Sequence, residues 1–134
     1  MSESTAFIEI STSRREELVD ITKKVAAAVN GRGDGICLVS CPHSTACIYI
    51  NENESGLRQD VLDMLDHVVP ANGWAHDRID HNARAHLKST LIGLSKAIPL
   101  RNGRLLLGTW QQIFFAEFDG PRKRRVAVTV AGGE

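Results

Sequence analysis

The spacing of hydrophobic and polar residues changes period several times along this chain, and each change marks an element. Residues 5–11 (TAFIEIS) alternate apolar and polar, as a half-buried strand does. Ser13 then opens S-x-x-E with Glu16, a capping-box pattern, and Leu18, Ile21, Val25 and Val29 follow at helical spacing until Gly31. The spacing predicts an amphipathic helix over 14–30 and a turn at Gly33 to Gly35. The runs ICLVSC (36–41) and ACIYIN (46–51) read as strands separated by PHST, which puts His43 at a strand end. Asn53 or Ser55 caps a second helix, whose apolar stripe is Leu57, Val61, Met64, Leu65 and Val68 and which Pro70 stops. ANGWAHDRID (71–80) is a loop. Asp80 to Asn82 begins a third helix with Ala83, Leu87 and Leu91 on one face. After Gly93 four strand-like runs follow: SKAIPL (95–100), GRLLLGTW (103–110), QQIFFAEF (111–118) and RRVAVTVA (124–131). The DGPR turn (119–122) predicts a hairpin over 110–131. The expected architecture is α+β: a single domain over 1–134, with an antiparallel or mixed β-sheet or sandwich and about three helices.

Composition narrows the function classes. With 134 residues, 43% of them hydrophobic, the chain can bury a core without disulfide staples. Sixteen basic and sixteen acidic residues cancel, so bulk charge points to neither nucleic acid nor membrane, and any anion recognition must be local. No segment approaches the roughly 20 apolar residues of a membrane span. The N-terminal stretch MSESTAFIEI lacks a basic region followed by an apolar one, so a cytoplasmic location is expected. Three cysteines, an odd number, fit a reducing compartment.

The candidate chemistry centres on His43, His76 and His86. Each stands in a polar, turn-rich or helix-starting context with acidic or amide neighbours: Glu52 and Glu54 after His43, Asp77 beside His76, Asp80 and Asn82 before His86. Imidazoles suit a metal with an open coordination position, and carboxylates can orient them. The intervals, 33 residues and then 10, match no short metal signature, and ordinary surface histidines are the competing reading. His67, at a helix C-terminus, and His81 are weaker candidates. Glu52 and Asp60 offer carboxylates for ligand orientation or base catalysis; helix capping explains acidic residues there equally well. Trp110 and Gln111 in GTWQ (108–111) offer a stacking ring and an amide, against a core tryptophan at a bend. Arg122 to Arg125 form a basic turn suited to phosphate, against a solvated hairpin end. Lys88 lies beside His86 at a different azimuth. Cys37 and Cys41 are about 13 Å apart on a straight strand and cannot share one ion. Buried free thiols are the expectation for all three cysteines, with Cys41 activated by His43 as the alternative.

These blocks occur in a specific order: H-S-T-A (43–46), N-E-N (51–53), Asp60, Pro70, H-D (76–77), H-L-K-S (86–89), Gly93, I-P (98–99), G-R (103–104), G-T-W-Q (108–111), Glu117 and G-P-R (120–122). In that order and spacing the chain resembles the YjbQ-like family, also described as secondary thiamine-phosphate synthases, from His43 to Gly132. It has His-Ser-Thr where members often have His-Thr-Ser, and His81 where an acidic residue or Asn is more usual. The resemblance implies an α+β homotrimer with a metal-type site at residues matching His43, His76 and His86. It also implies thiamine phosphate formation from a pyrimidine diphosphate and a thiazole phosphate. On that reading His43, His76 and His86 hold a divalent metal, and Glu52, Asp60, Asp77 and Lys88 do catalytic work. Ser44, Trp110, Gln111 and Arg122 then bind substrate. Three imidazoles favour a zinc-like ion, whereas a diphosphate favours Mg²⁺. The alternatives are a metal-dependent hydrolase of a phosphorylated or amide substrate, and a non-catalytic metal- or anion-binding trimer.

Overall fold

Strand pairing sorts the described residues into two antiparallel sheets. The computed structural model describes residues 3–132. Its elements are β1 (Glu3–Ser11), β2 (Glu17–Asp20), α1 (Thr22–Val29), β3 (Gly35–Ser40), β4 (Ala46–Asn51), α2 (Ser55–Val68), a 3-10 turn (Ala75–Arg78), α3 (Ala83–Ile92), β5 (Ser95–Arg101), β6 (Arg104–Leu105), β7 (Gln112–Glu117) and β8 (Lys123–Gly132). One sheet has five strands in the order β1-β8-β3-β5-β6, and the other has three in the order β2-β7-β4. Every pairing is antiparallel. Among the described residues no helix is long and apolar enough to cross a membrane.

Two cores follow from this layering. The first lies between the sheets and takes Val39, Ile98 and Val128 from the larger sheet, Ile48, Ile113 and Phe115 from the smaller, and Val25 and Val29 from α1. The second lies on the other face of the small sheet. There Cys47, Phe114, Ala116 and Phe118 meet Leu65 of α2 and Ala85 of α3. The small sheet is therefore covered on both faces, which is why ACIYI and IFFA are continuous apolar runs rather than alternating ones.

The double core corrects the predicted helix over 14–30. Leu18 belongs to the second core, whereas Ile21, Val25 and Val29 belong to the first. No single helix face can serve both. The segment forms β2, paired with β7, and then the short helix α1, where the Asp20 carboxylate accepts from Thr22 N at 3.0 Å. Ser13 caps nothing: its N–H and hydroxyl donate to Glu17 rather than Glu16 (2.8 and 3.2 Å). On α2 the cap is neither Asn53 nor Ser55 but Glu54, whose carboxylate accepts from Gly56 N and Leu57 N. The predicted strand over 103–110 is reduced to Arg104–Leu105, because Gly108 to Gln111 close a turn (Gln111 N to Gly108 O, 3.1 Å).

The predicted hairpin over 110–131 does not form. β7 is already flanked by β2 and β4, so it has no free edge for β8, and the chain crosses to the other sheet instead. The β3–β4 connection crosses in the same way. The two crossovers lie side by side, joined by Phe118 N to Thr45 O at 3.2 Å.

Candidate functional site

The paired crossovers and the start of α3 line a solvent-open cavity of about 640 Å³. Pro42, His43, Ser44 and Thr45 come from the first crossover; Asp119 and Arg122 come from the second, followed by Arg124 of β8; Asp80, Asn82 and His86 come from the segment around the start of α3. Apart from Pro42 every one of these carries a polar or charged side chain.

A buried ion pair builds the floor. β8 alternates, and Arg124 is in phase with Val126, Val128 and Val130, so it points inward and is 4% exposed. Its Nε donates to Glu117 Oε1 at 2.8 Å, and its terminal nitrogen donates to Glu117 Oε2 and to Thr45 Oγ1 (2.9 Å). Glu117 also accepts from Thr12 Oγ1 (2.9 Å) and Asp119 N (3.1 Å). Burial pushes its carboxyl up, but the donors, Arg124 first, outweigh burial and hold it below the ordinary carboxylate value. Arg122, half-exposed, donates to the Asp119 carboxylate and carbonyl, both at 2.9 Å. The same carboxylate accepts from Asn82 Nδ2 at 2.9 Å.

His43 is fixed by backbone. Its Nε2 lies 3.0 Å from both the N and the O of Arg125. Burial lowers its basicity and neighbouring Arg124 lowers it further, so the neutral ring is favoured. His76 and His86 meet edge to face, with centroids 4.7 Å apart. His76 Nε2 is buried without a hydrogen bond, 3.6 Å from an Asp80 oxygen. An orphaned ring nitrogen beside a second imidazole fits a metal ion chemically. His43 does not join that pair, however. Among the described residues no three His, Cys, Asp or Glu side chains converge as a metal site would require.

The family model for YjbQ-like UPF0047 proteins matches residues 6–133. The chain belongs to that family. A UPF0047 protein of Archaeoglobus fulgidus is 50% identical over 122 residues, covering 90% of this chain and 96% of that one. YugU, a UPF0047 protein of Bacillus subtilis, is 43% identical over 131 residues, covering 93% and 97%. The crystal structure of a YbjQ-like protein of unknown function from Sulfolobus solfataricus is 44% identical and superposes with a TM-score of 0.94, covering 98% of both chains. The UPF0047 fold of that structure and the one described here are the same.

Of the residues singled out in this UPF0047 sequence, the cavity gathers His43, Ser44, His86 and Arg122, with His76 against His86. The others lie elsewhere. Glu52 follows the far end of β4, six residues or about 20 Å of strand beyond Ala46. Asp60 is exposed on α2. Asp77 accepts from Ala83 N at 2.9 Å and so caps α3. Lys88 is 1% exposed and donates to Glu16 and Asp66, both at 2.6 Å, on the helix side of the small sheet. Gln111 folds its amide onto Gly108 N (2.7 Å), and Trp110 is 71% exposed beside it. The cysteines are free and buried; burial pushes Cys37 to about 11 and Cys47 to about 12. Cys41 faces the His43 carbonyl at 3.7 Å, not its ring. Thr45 and Asp119 were given no individual site role from sequence; Asn82 entered only as an amide neighbour of His86, and Arg124 only within the basic turn over 122–125. Arg124 and Glu117 carried a usable signal, because each is a charge at a position where the strand pattern requires an apolar residue.

Proposed function

We propose that the chain is a transferase that binds a phosphorylated small molecule in this cavity and forms thiamine phosphate from a pyrimidine diphosphate and a thiazole phosphate. The observation that carries the reading is the juxtaposition of two imidazoles, two guanidinium groups and the Ser44 and Thr45 hydroxyls around one polar cavity. Such groups donate several directed hydrogen bonds to phosphate oxygens. Arg124 is paired with Glu117 and Arg122 with Asp119, so affinity comes from directed donors rather than from an excess of positive charge.

In the proposed reaction the methylene C–O bond breaks and its electron pair leaves on diphosphate. The thiazole nitrogen lone pair then forms the C–N bond. Arg122 and Arg124 oppose the charge that grows on the leaving oxygens. His86 and Ser44 orient the diphosphate. Neutral His43, anchored on the Arg125 backbone, accepts or donates one hydrogen bond without adding a charge that must later be released. A divalent metal, for which the described residues offer His76 and His86 but no third converging ligand, would supply further neutralisation of diphosphate charge.

The proposal includes a homotrimer. The outer face of the five-stranded sheet aligns Thr5, Thr129, Leu38 and Ala97 in one row and Ala131, Ile36 and Pro99 in the next. Phe7, Ile36 and Leu38 are 51%, 46% and 38% exposed on it, large apolar side chains of the kind that protein contacts cover, set among Thr5 and Thr129.

The test is coupled synthesis with both substrates, read by mass spectrometry, with elemental analysis of the same preparations. Wild type is expected to form thiamine phosphate. His86→Ala and Arg124→Gln are expected to lose at least about a hundredfold, as loss of a charge-stabilising donor does. His86→Ala is also expected to lose bound metal. Phosphate release without coupled product would replace the reading with a hydrolase, and tight anion binding with neither product would replace it with a binding protein.

A further inference from the structure

Beyond His86 lies a second cavity of different character. It measures about 230 Å³, and its walls are Trp74, Ala75, His76, Ala83, His86 and Leu87. The polar cavity and this one share His86 as a wall. Trp74 is locked by its own donor: Nε1–H bonds to the Pro70 carbonyl at 2.7 Å, so the indole cannot swing freely about its side-chain bonds. The edge-to-face contact of His76 and His86, with planes 82° apart, fixes a second aromatic boundary. An apolar cavity of roughly 150 Å³ is enough to hold benzene. This pocket is open to solvent rather than closed, so its size sets only the room available: enough for a single substituted ring, and aromatic walls favour an aromatic occupant.

We infer that this cavity is the subsite for a planar nitrogen heteroaromatic ring whose phosphate chain lies in the polar cavity, and that Trp74 selects for the ring. The inference rests on the phosphate reading above and deepens it, because it assigns the ring to Trp74, in a cavity that shares His86 with the one the arginines line. It also moves ring recognition away from Trp110, which stands exposed on the 108–111 turn and lines neither cavity. The ring and its leaving group would then flank His86, which places the bond that breaks next to an imidazole.

The chain has two tryptophans, so a Trp110→Phe protein reports Trp74 alone by fluorescence. Three probes separate the subsites: free 4-aminopyrimidine, the aminopyrimidine-methyl diphosphate, and inorganic diphosphate followed by calorimetry. Saturable quenching of Trp74 by both ring-bearing probes, and none by inorganic diphosphate, is expected. Trp74→Ala is expected to weaken the ring-bearing diphosphate by on the order of tenfold to a hundredfold. Inorganic diphosphate should stay within about twofold of wild type, and Trp74→Phe should restore most of the loss. Saturable quenching by the free ring, in a protein that does not bind inorganic diphosphate, would uphold the ring subsite and remove the phosphate reading. Absence of quenching by either ring-bearing probe, or an equal loss for ring-bearing and ringless diphosphates in Trp74→Ala, would overturn the inference.

Discussion

At the scale of single residues, the Glu117–Arg124 pair decides most about the site. Both side chains are almost wholly removed from water, at 0% and 4% exposure, so either one left alone would be an uncompensated buried charge. Glu117→Gln is expected to cost about 3–5 kcal/mol in urea denaturation. Lys88→Met should cost less, although Lys88 is buried as deeply, because its partners Glu16 and Asp66 are 32% and 44% exposed and can be rehydrated. A larger loss for Lys88→Met would contradict this ranking. The pH dependence has a definite sign. The carboxyls of Glu117 and Asp66 are held below their ordinary values of 4.5 and 3.8, for Asp66 first by the hydrogen bond from Lys88. Their stabilisation is therefore complete above those ordinary values and is lost as pH falls through the folded ones. Thermal unfolding should accordingly move to lower temperature below about pH 4.5, and less steeply in Glu117→Gln. The sequence announced this pair through phase: Arg124 in step with Val126, and Glu117 inside IFFAEF. It could not announce the contact of Asn82 with Asp119, which depends on two segments 37 residues apart being brought together.

At the scale of elements, the two crossovers carry the site, and one glycine is needed for the second of them. A Cβ on Gly120 would lie 2.3 Å from the Arg14 carbonyl oxygen and 2.8 Å from Thr12 Oγ1. Gly120 N also donates to Arg15 O at 3.0 Å, so the turn is clamped against the β1–β2 connection and cannot back away. Gly120→Ala is expected to cost about 1–3 kcal/mol by overpacking. It should also weaken inorganic diphosphate binding, since displacing Thr12 removes a hydrogen bond from Glu117. Unchanged stability together with unchanged affinity would show that the turn relaxes freely. Elements were legible in their bounds, since α2, α3, β1 and β5 appear where the period places them, but the predicted helix faces were only partly right. Met64, Val68 and Leu91 are more than half exposed, and α3 buries Ala85, Lys88 and Ser89 instead of Leu91. Elements were misread where a short stretch serves two cores. Leu18 and Ile21 have helical spacing but opposite destinations, and the DGPR turn has hairpin chemistry but joins strands in different sheets. Local pattern carries the period of a segment, not the identity of the layer it packs against.

At the scale of the whole molecule, the strand that carries Arg124 into the cavity also carries Arg125 out onto the opposite face. Arg125 holds His43 through its backbone, while its guanidinium lies 4.0 Å from the centre of the Phe7 ring on the outer surface of the sheet. Covering that surface would therefore order the strand that anchors His43. The proposed trimer predicts light-scattering masses of three times the 14.7 kDa chain for wild type and one chain for Leu38→Asp. That substitution sets a carboxylate in the middle of the uncharged row formed by Thr129, Leu38 and Ala97. It leaves every residue lining the cavity in place. If assembly stiffens the His43 anchor, the monomeric variant should bind inorganic diphosphate several-fold more weakly than wild type, and dilution of wild type below its association range should reproduce the loss. A wild type of single-chain mass would remove the trimer from the proposal. A monomeric variant with unaltered affinity would keep the trimer but show that the cavity is complete, and sufficiently rigid, within one chain.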